Sequence, residues 1–310
     1  MSNDNTSGVL PLWKPAGMTS FAAVQEVKKI FHTKKAGHTG TLDPDVDGVL
    51  PVCLGRATKL VEYLTASEKI YEGEVTIGTS TTTEDKSGDI VEEKAVEREI
   101  TEAEIEEVLS SLRGEITQVP PMFSAVKVKG KRLYEYAREG LTVDRPERQV
   151  TIFELVRTSP PVIKADGQVS FRFRARCSKG TYIRTLSVTI GEKLGYPAHM
   201  SDLTRTGSGR FFAEDCLTLE RLKELKEENA LSSALFSMED SLSEFPKAVI
   251  SPETEEKVMN GAILPASVIN VDESLVALYN QQGECLALYQ KHPKRIGMIK
   301  PAKMLKAADA

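Results

Sequence analysis

The seven residues from Phe171 to Cys177 alternate strictly between apolar and basic side chains. Successive side chains of a β-strand point to opposite faces, so this period of two predicts a strand that is buried on one face only. The solvent-facing side of that strand carries Arg172, Arg174 and Arg176 in a row. The chain must therefore build a sheet that packs a core against one side and leaves polar groups on the other.

Hydrophobic periodicity and capping residues predict further elements around this strand. Helices are predicted over about 20–32, after the Thr101 capping box, and from a Thr181 cap to Gly195, and a strand over 70–77. A Ser- and acid-rich stretch over 229–246 is typical of a linker. The short β-like runs that follow, at 248–250, 275–279 and 285–289, predict a small β-rich C-terminal domain.

Charge is distributed unevenly along the 310 residues. The net charge of −5 argues, if taken globally, against a nucleic-acid partner. Two blocks, 84–107 and 214–244, hold net charges of −8 and −6, so the rest of the chain is basic by +9. The basic residues cluster at 127–138, 172–184 and 291–306. Because counterion release rewards local positive charge, these clusters suit a surface that follows phosphates.

Several classes of protein are disfavoured. No apolar run reaches the roughly 18 residues that a membrane helix needs, and the N-terminus lacks the pattern of a secretory signal. The four cysteines stand far apart, which is typical of a reducing compartment. Neither phosphate-binding glycine motifs nor zinc-type His and Cys pairs occur. We therefore predict a cytoplasmic protein that needs no membrane, no cofactor and no metal.

The stretch from Gly37 to Gly48 is a loop by composition, with three glycines, one proline and three aspartates. Pro44 biases Asp43 toward an extended backbone, so the Asp43 carboxylate should project from a turn. Such a placement suits a nucleophile. An Asp-Pro loop is nevertheless more often a structural turn, so the residues alone leave Asp43 as a candidate.

The same loop also matches the start of a calcium site. Asp43, Asp45, Asp47 and Gly48 occupy the first, third, fifth and sixth positions of an EF-hand loop. The twelfth position, which requires a bidentate glutamate, is Leu54. A calcium function is therefore disfavoured.

Seven stretches, in this order along the chain, resemble the TruB family of pseudouridine synthases. They are Lys14-Pro15-x-Gly17-Met18-Thr19-Ser20, the GHTGTLDP stretch at 37–44, Gly55-Arg56-Ala57-Thr58-Lys59, Lys69-x-Tyr71, the PPMFSAVK stretch at 120–127, the LYEYAR-x-G stretch at 133–140, and the CSKGTYIR stretch at 177–184. The resemblance spans roughly residues 9–210. The C-terminal region is more weakly similar to the small PUA-like RNA-binding domain that the family carries.

The resemblance implies an α+β pseudouridine-synthase fold, in which helices flank a mixed, mainly antiparallel central sheet. It implies a catalytic domain over 1–240 and a small β-rich PUA-like domain over 245–310. Within the catalytic domain, residues at about 120–148 are expected to form an insertion that clasps RNA, with Gly130 and Gly140 as hinges.

The resemblance implies that the protein isomerises uridine 55 of the tRNA T-loop to pseudouridine without a cofactor. Asp43 is then the nucleophile, which attacks the flipped-out nucleotide at C6 of the base or C1′ of the ribose. Tyr71, by default a sheet-packing residue, stacks on the target base and assists removal of the C5 proton. Arg184 pairs with Asp43 and keeps it ionised, because an adjacent cation lowers a carboxylate pKa. Its place in the first turn of a predicted helix, where the helix dipole disfavours a cation, also suggests an anionic partner.

The resemblance and the basic clusters together predict the RNA contacts. His38 is expected to stack within the reorganised T-loop, and Lys14 to support the active site among the RNA-binding residues. The other predicted contacts are basic or aromatic: Lys59, Lys127, Lys129, Arg138, Arg172, Arg174, Lys179 and Tyr182. The expected partner is the T-arm of tRNA, bound and assisted in folding by a monomer without protein partners.

Two alternatives remain at this stage. A guide-RNA-dependent relative shares the GH-x-G-x-LDP and PP-x-x-SAVK features but requires protein partners, whereas the segment 129–138 is of the stand-alone bacterial type. A non-catalytic tRNA chaperone is the second alternative, and the intact Asp43 argues against it.

Overall fold

The computed structural model describes residues 6–269 and 273–306. The first residue of the predicted catalytic domain, 1, and the last residue of the predicted C-terminal domain, 310, lie outside these ranges. The strands that precede residue 213 are β1 (Gly8–Lys14), β2 (Ala36–His38), β3 (Asp47–Leu54), β4 (Lys69–Ile77), β5 (Thr79–Thr81), β6 (Ile90–Glu93), β7 (Gly114–Gln118), β8 (Lys127–Val128), β9 (Lys131–Arg132), β10 (Arg148–Arg157), β11 (Val162–Ile163), β12 (Val169–Cys177), β13 (Ala198–Ser208) and β14 (Phe211–Phe212). The later strands are β15 (Lys247–Val249), β16 (Leu264–Pro265), β17 (Leu275–Tyr279), β18 (Cys285–Lys291) and β19 (Met298–Met304). The helices are α1 (Ser20–Phe31), α2 (Val61–Thr65), α3 (Glu102–Ser111), α4 (Leu133–Arg138), α5 (Ile183–Leu194), α6 (Leu219–Glu227), α7 (Met238–Ser241) and α8 (Pro252–Met259).

The central sheet runs in the order β1-β3-β13-β4-β12-β10-β7. Its neighbouring strands pair antiparallel except β3 and β13, which pair parallel. The expected α+β fold with a mixed, mainly antiparallel sheet is thus confirmed. The alternation in β12 is confirmed as well, because Phe171 and Phe173 are buried while the three alternating arginines of the strand are half-buried.

The helix that begins at Ser20 is confirmed, with Thr19 accepting a hydrogen bond from the Ala22 amide. The predicted Thr181 cap is wrong. Tyr182 is the N-cap residue of α5, and the Thr181 hydroxyl instead donates to the Ser178 carbonyl oxygen at 2.8 Å. The hydroxyl is therefore used to close the turn that joins β12 to α5.

The predicted linker over 229–246 is also wrong. Val9 and Phe236 exchange two backbone hydrogen bonds of 2.9 Å, and Leu242 is buried. The apolar residues scattered among the serines and acids of this segment pack against β1, which holds the segment to the central sheet.

The C-terminal strands form a five-stranded sheet in the order β15-β17-β18-β19-β16, which confirms the β-rich domain. One hydrophobic cluster joins this sheet to the central one, because Val9 and Val49 pack in it together with Ala277 and Leu288. Alternate residues of β1 and β3 face the main core instead. Both strands are therefore buried on two sides. Within 6–269 and 273–306, no helix combines the length and apolar character needed to cross a bilayer.

Candidate active site

The loop that carries Asp43 lies between β2 and β3 and is held on both sides of the aspartate. On one side, the Ser20 hydroxyl donates to the Leu42 carbonyl oxygen at 3.0 Å and accepts from the Leu42 amide at 2.8 Å. On the other side, Lys14 Nζ donates to the carbonyl oxygens of Pro44 and Met18, at 3.1 and 2.6 Å. The backbone around Asp43 is thus fixed before any substrate arrives.

Lys14 supports this loop but is not placed to contact RNA. Its side chain is completely buried, and burial lowers its pKa to about 8. The motif that contains Lys14 turns back on itself, so the carbonyl oxygens of Pro15 and Met18 converge on the ammonium group. Lys14 thus has the supporting position that the resemblance implies, whereas its buried ammonium group is not available as the RNA contact that was also predicted.

Arg184 lies against the aspartate at the start of α5. Its Nε is 3.0 Å from Asp43 Oδ2 and 3.8 Å from Asp85 Oδ2. Its Nη1 and Nη2 donate to the carbonyl oxygens of Thr83 and Phe123, at 2.9 and 3.0 Å. The Arg184 side chain is only 5% exposed, whereas that of Asp43 is 43% exposed. The guanidinium is thus fixed from four directions, and the carboxylate beside it faces solvent.

The pKa of Asp43 is subject to opposing effects. Burial raises the pKa of Asp43 above its ordinary value, and the neighbouring carboxylate of Asp85 acts in the same direction. Arg184 lowers the pKa as expected, but its effect is smaller than that of burial. The expected pairing with Arg184 and the direction of its effect on the Asp43 pKa are therefore confirmed, whereas the net direction is set by burial.

Tyr71 lies on β4 and faces the same space as Asp43. Its side chain is only 9% exposed, and burial raises the pKa of its phenol. The charge of Arg205, its register partner on β13, lowers that pKa in opposition. Arg205 is 1% exposed, and donates through Nε to Val49 O at 2.7 Å and through Nη2 to Gly40 O at 3.1 Å. This guanidinium therefore links the tyrosine to the Asp43 loop.

Asp43, Tyr71 and Arg184 line one cavity of about 960 Å³, called here the catalytic cleft. Asp43 is the one acid among the described residues that line it. The basic residues of its wall are Lys69, Lys127, Arg132, Arg138, Lys179, Arg184 and Arg205. Within the described ranges, Arg184 is the one member of this set that forms an ion pair with a carboxylate. Such a cleft attracts a polyanion.

Half of the ten residues predicted to bind RNA meet in this cleft. Lys127, Arg138, Lys179 and Tyr182 line it, as does His38. Burial lowers the pKa of the His38 imidazole, and its Nδ1 accepts a hydrogen bond from the Gly40 amide at 3.3 Å. The neutral imidazole is thereby favoured, and a neutral ring suits stacking on a base.

The other five predicted contacts do not line the cleft: Lys14, Lys59, Lys129, Arg172 and Arg174. Lys59 Nζ donates to the carbonyl oxygens of Met304 and Leu305, at 2.8 and 3.3 Å, so this ammonium joins the catalytic domain to the end of the C-terminal sheet. Lys129 occupies the exposed turn between β8 and β9, with a positive φ of 49°. Neither side chain lines the cleft, and their RNA contacts remain predictions.

The arginines of β12 lie on the opposite face of the sheet from Tyr71. Tyr71 pairs with Ala175 and shares its face, whereas Arg172 and Arg174 project to the other side. The three arginines each form an ion pair there: Arg172 with Asp202 at 3.0 Å, Arg174 with Glu154, and Arg176 with Glu68 at 2.6 Å. We call this set the ion-pair face. Its arginines do not line the catalytic cleft, although Asp202 borders a neighbouring cavity of about 280 Å³.

The expected insertion over 120–148 contributes one wall of the cleft. It contains the β8-β9 hairpin and α4, and Leu133 anchors it as a fully buried side chain. Gly130 and Gly140 have φ values of 86° and 69°, a backbone region that favours glycine. The bond from Arg184 to the Phe123 carbonyl oxygen attaches the base of the insertion to the residue that pairs with Asp43.

Sequence reasoning missed Asp85, Lys69 and Arg205 as parts of the site. Lys69 belongs to the Lys69-x-Tyr71 stretch, but its burial, which lowers its pKa to about 7, has no signal in the sequence. Asp85 lies in the acidic block over 84–107, where nothing distinguishes it from the neighbouring acids. Arg205 has no local signal, because only the pairing of β13 with β4 brings it to Tyr71.

Comparisons with known proteins agree with this geometry. Residues 28–183 match the family model "TruB family pseudouridylate synthase (N terminal domain)", and residues 184–243 match "tRNA pseudouridylate synthase B C-terminal domain". The chain is 53% identical over 302 residues to a tRNA pseudouridine synthase B of Bacillus pumilus, covering 96% of this chain and 97% of that one. It is 54% identical over 299 residues to the protein of that name from Halalkalibacterium halodurans, with the same coverage. Among solved structures, it is similar to a chain of a Cbf5-Nop10-Gar1 complex, with a TM-score of 0.72, 30% identity, and coverage of 97% of this chain and 85% of that one.

Proposed function

The chain belongs to the TruB family of pseudouridine synthases, and we propose that it converts uridine 55 in the T-loop of tRNA to pseudouridine with Asp43 as the nucleophile. One observation carries the proposal. A half-exposed carboxylate, paired with a buried arginine at 3.0 Å, stands beside a tyrosine in a cleft whose other charged walls are basic.

The reaction is an isomerisation, so it needs no redox partner and no added group. The C1′–N1 glycosidic bond of the nucleotide breaks, a C1′–C5 bond forms, C5 loses its proton and N1 gains one. Asp43 attacks either C6 of the base or C1′ of the ribose, and its exposure suits both routes. Tyr71 faces the same space, where its ring stacks on the base and its hydroxyl assists removal of the C5 proton.

Arg184 is assigned the role of holding Asp43 charged and oriented. Its guanidinium is fixed by Thr83 and Phe123, so it does not reorganise when the substrate binds. The Asp85 carboxylate, with Oδ2 at 3.8 Å from the same Nε, helps to hold the guanidinium in this orientation. Preorganised charge of this kind is most effective in a site from which water is partly excluded.

Reaching the target requires the uridine to leave the folded T-loop, because its reactive atoms are otherwise enclosed by stacking. Phosphate contacts from Lys127, Arg132, Arg138 and Lys179 offset the lost stacking. Three of these residues belong to the insertion over 120–148, which we propose closes over the T-arm by turning about Gly130 and Gly140.

We further propose that the protein acts alone, as a cytoplasmic monomer, and that it assists tRNA folding as it binds. The stand-alone assignment is supported by identities of 53–54% to proteins named tRNA pseudouridine synthase B, against 30% to a chain of the Cbf5-Nop10-Gar1 complex. The tRNA-folding role follows from binding that opens and releases the T-loop.

The test is tritium release from 5-tritiated uridine in an unmodified tRNA transcript. We expect the purified protein to release tritium without guide RNA or partner, and Asp43→Asn to abolish release while still binding tRNA. Removing a nucleophile typically lowers the rate by about 10⁴-fold or more. Release that needed a guide RNA would support the guide-dependent alternative, whereas undiminished release by Asp43→Asn would exclude Asp43 as the nucleophile.

A further inference from the structure

Phe21 is the most exposed aromatic side chain in the described part of the chain, with 70% of its surface accessible. The other exposed phenylalanines are Phe153 and Phe212, at 41% and 38%, and Arg176 covers the ring of Phe153. Single exposed apolar side chains are common on protein surfaces, so the exposure of Phe21 indicates a ligand only in combination with its position.

The position of Phe21 points to that ligand. Phe21 lines the catalytic cleft with His38 and Thr41. It follows Ser20, whose buried hydroxyl makes two hydrogen bonds to the backbone of Leu42, and Leu42 precedes Asp43. Ser20 and its two hydrogen bonds thus connect the backbone of Phe21 to the Asp43 loop. Phe21 itself lies in the first turn of the 12-residue helix α1.

The charge of the cleft selects the kind of molecule that covers the ring. Seven basic side chains and one acid line the wall, so the occupant is a polyanion. A polyanion that also offers flat aromatic faces is a nucleic acid, whose bases stack on exposed aromatic side chains. We propose that Phe21 is a stacking platform for a nucleobase next to the target nucleotide of the substrate RNA. This proposal rests on the function proposed above and adds a contact outside the reacting base.

The backbone that carries the ring is fixed before binding, because it belongs to the first turn of α1 and the adjacent Ser20 hydroxyl is bonded to Leu42. Base stacking on such a platform changes affinity by roughly 5- to 150-fold. Since the stack does not involve the reacting atoms, it stabilises the bound substrate and the transition state equally. Its loss should therefore raise KM and leave kcat within about twofold.

The experiment compares Phe21→Ala, Phe21→Leu and Phe21→Trp with the wild-type chain on an unmodified tRNA transcript. Phe212→Ala is the matched control, since it removes an exposed phenylalanine that does not line the cleft. Because both side chains are exposed, all variants should melt within about 2 °C of the wild type. We expect Phe21→Ala and Phe21→Leu to raise KM at least fivefold, Phe21→Trp to restore it, and Phe212→Ala to leave it unchanged.

A direct readout uses transcripts that carry a single 2-aminopurine at successive positions beside the target, because stacking quenches its fluorescence. In the Asp43→Asn chain, which binds without turnover, one position should be quenched, and Phe21→Ala should remove that quenching. Unchanged KM in Phe21→Ala, or full rescue by leucine, would overturn the stacking proposal. A wild-type chain that forms no pseudouridine in the same assay would overturn the proposed function instead, so the two failures are distinguishable.

Discussion

The basic side chains on the two sides of the central sheet differ in whether they are paired with carboxylates. On the cleft side, seven basic residues share the wall with Asp43 as the one described acid, and only Arg184 is ion-paired within the described ranges. On the ion-pair face, every arginine of β12 has a carboxylate partner on a neighbouring element. The comparison shows that a run of basic residues in a sequence indicates where positive charge lies but not whether that charge is free to meet a phosphate.

The partners on the ion-pair face are distant in sequence, so no local charge count anticipates them. Glu68 is 108 positions from Arg176, and Asp202 is 30 from Arg172. Their side chains remain about 40% exposed, and solvent screens such pairs. A phosphate that approached these arginines would have to displace a carboxylate, whereas a phosphate that approached Lys179 or Arg132 would not.

The largest effect of a cleft substitution other than Asp43→Asn is expected for Arg184→Gln. Loss of the charge removes a preorganised electrostatic contact, so kcat should fall by roughly 10²- to 10³-fold. Arg184 lowers the pKa of Asp43, so its removal raises that pKa further and moves the acid limb of the pH-rate profile to higher pH. Single-turnover tritium release across pH measures both effects.

The matched control is Arg176→Gln, the same change on the ion-pair face, which should leave rate and profile unchanged. Because Arg184 is buried, melting of Arg184→Gln must be checked, and Arg184→Lys retains the charge if glutamine disturbs the fold. An acid limb that moved to lower pH would contradict the role assigned to Arg184.

A smaller effect is expected when two cleft cations that form no ion pair within the described ranges are neutralised together. Arg132→Gln combined with Lys179→Gln should weaken tRNA binding by about tenfold at low salt and reduce the salt slope of log Kd by roughly 1 per residue. The comparison pair is Arg172→Gln with Arg174→Gln, which changes the charge equally on the other face. An equal loss of affinity in that pair would instead support the RNA contacts predicted for Arg172 and Arg174 from the sequence.

The smallest effect is expected for Arg174→Gln alone. The free energy of unfolding should fall by less than about 1 kcal/mol, because the pair with Glu154 is part-exposed. Denaturant unfolding of Arg174→Gln, Glu154→Gln and the double variant measures the coupling between the two side chains. A coupling above about 2 kcal/mol would mean that the ion-pair face stabilises the sheet far more than its exposure suggests.

The sequence predicted those features that depend on local pattern. The alternation around Phe173 identified β12 and its buried face, because a period of two has one structural meaning in a strand. The start of α1 after Thr19 and the end of α5 at Gly195 were predictable because helix ends favour particular residue types, a hydroxyl at the N-cap and glycine at the C-terminus. The meeting of Asp43 with Arg184, 141 positions apart in the printed sequence, followed from the family resemblance and not from any local pattern.

Features that depend on tertiary register were not predictable. Arg205 reaches Tyr71 only because β13 pairs with β4 in one register, which includes two irregularities. The supporting role of Lys14 was expected from the resemblance, but its complete burial was not, because only the fold brings three carbonyl oxygens to its ammonium group. The segment over 229–246 has the composition of a linker, yet a few apolar residues within it suffice to pack it against β1.

Strands β1 and β3 are buried between two hydrophobic clusters, and this packing couples the stability of the two domains. The strand that starts directly after the Asp43 loop has one face in the catalytic core and the other against the C-terminal sheet. Cutting the chain after the catalytic domain would leave an apolar face of that strand in water, beside the loop that must hold a carboxylate in place. The two domains have separate sheets but share this packing, so we expect them to unfold together in one cooperative transition.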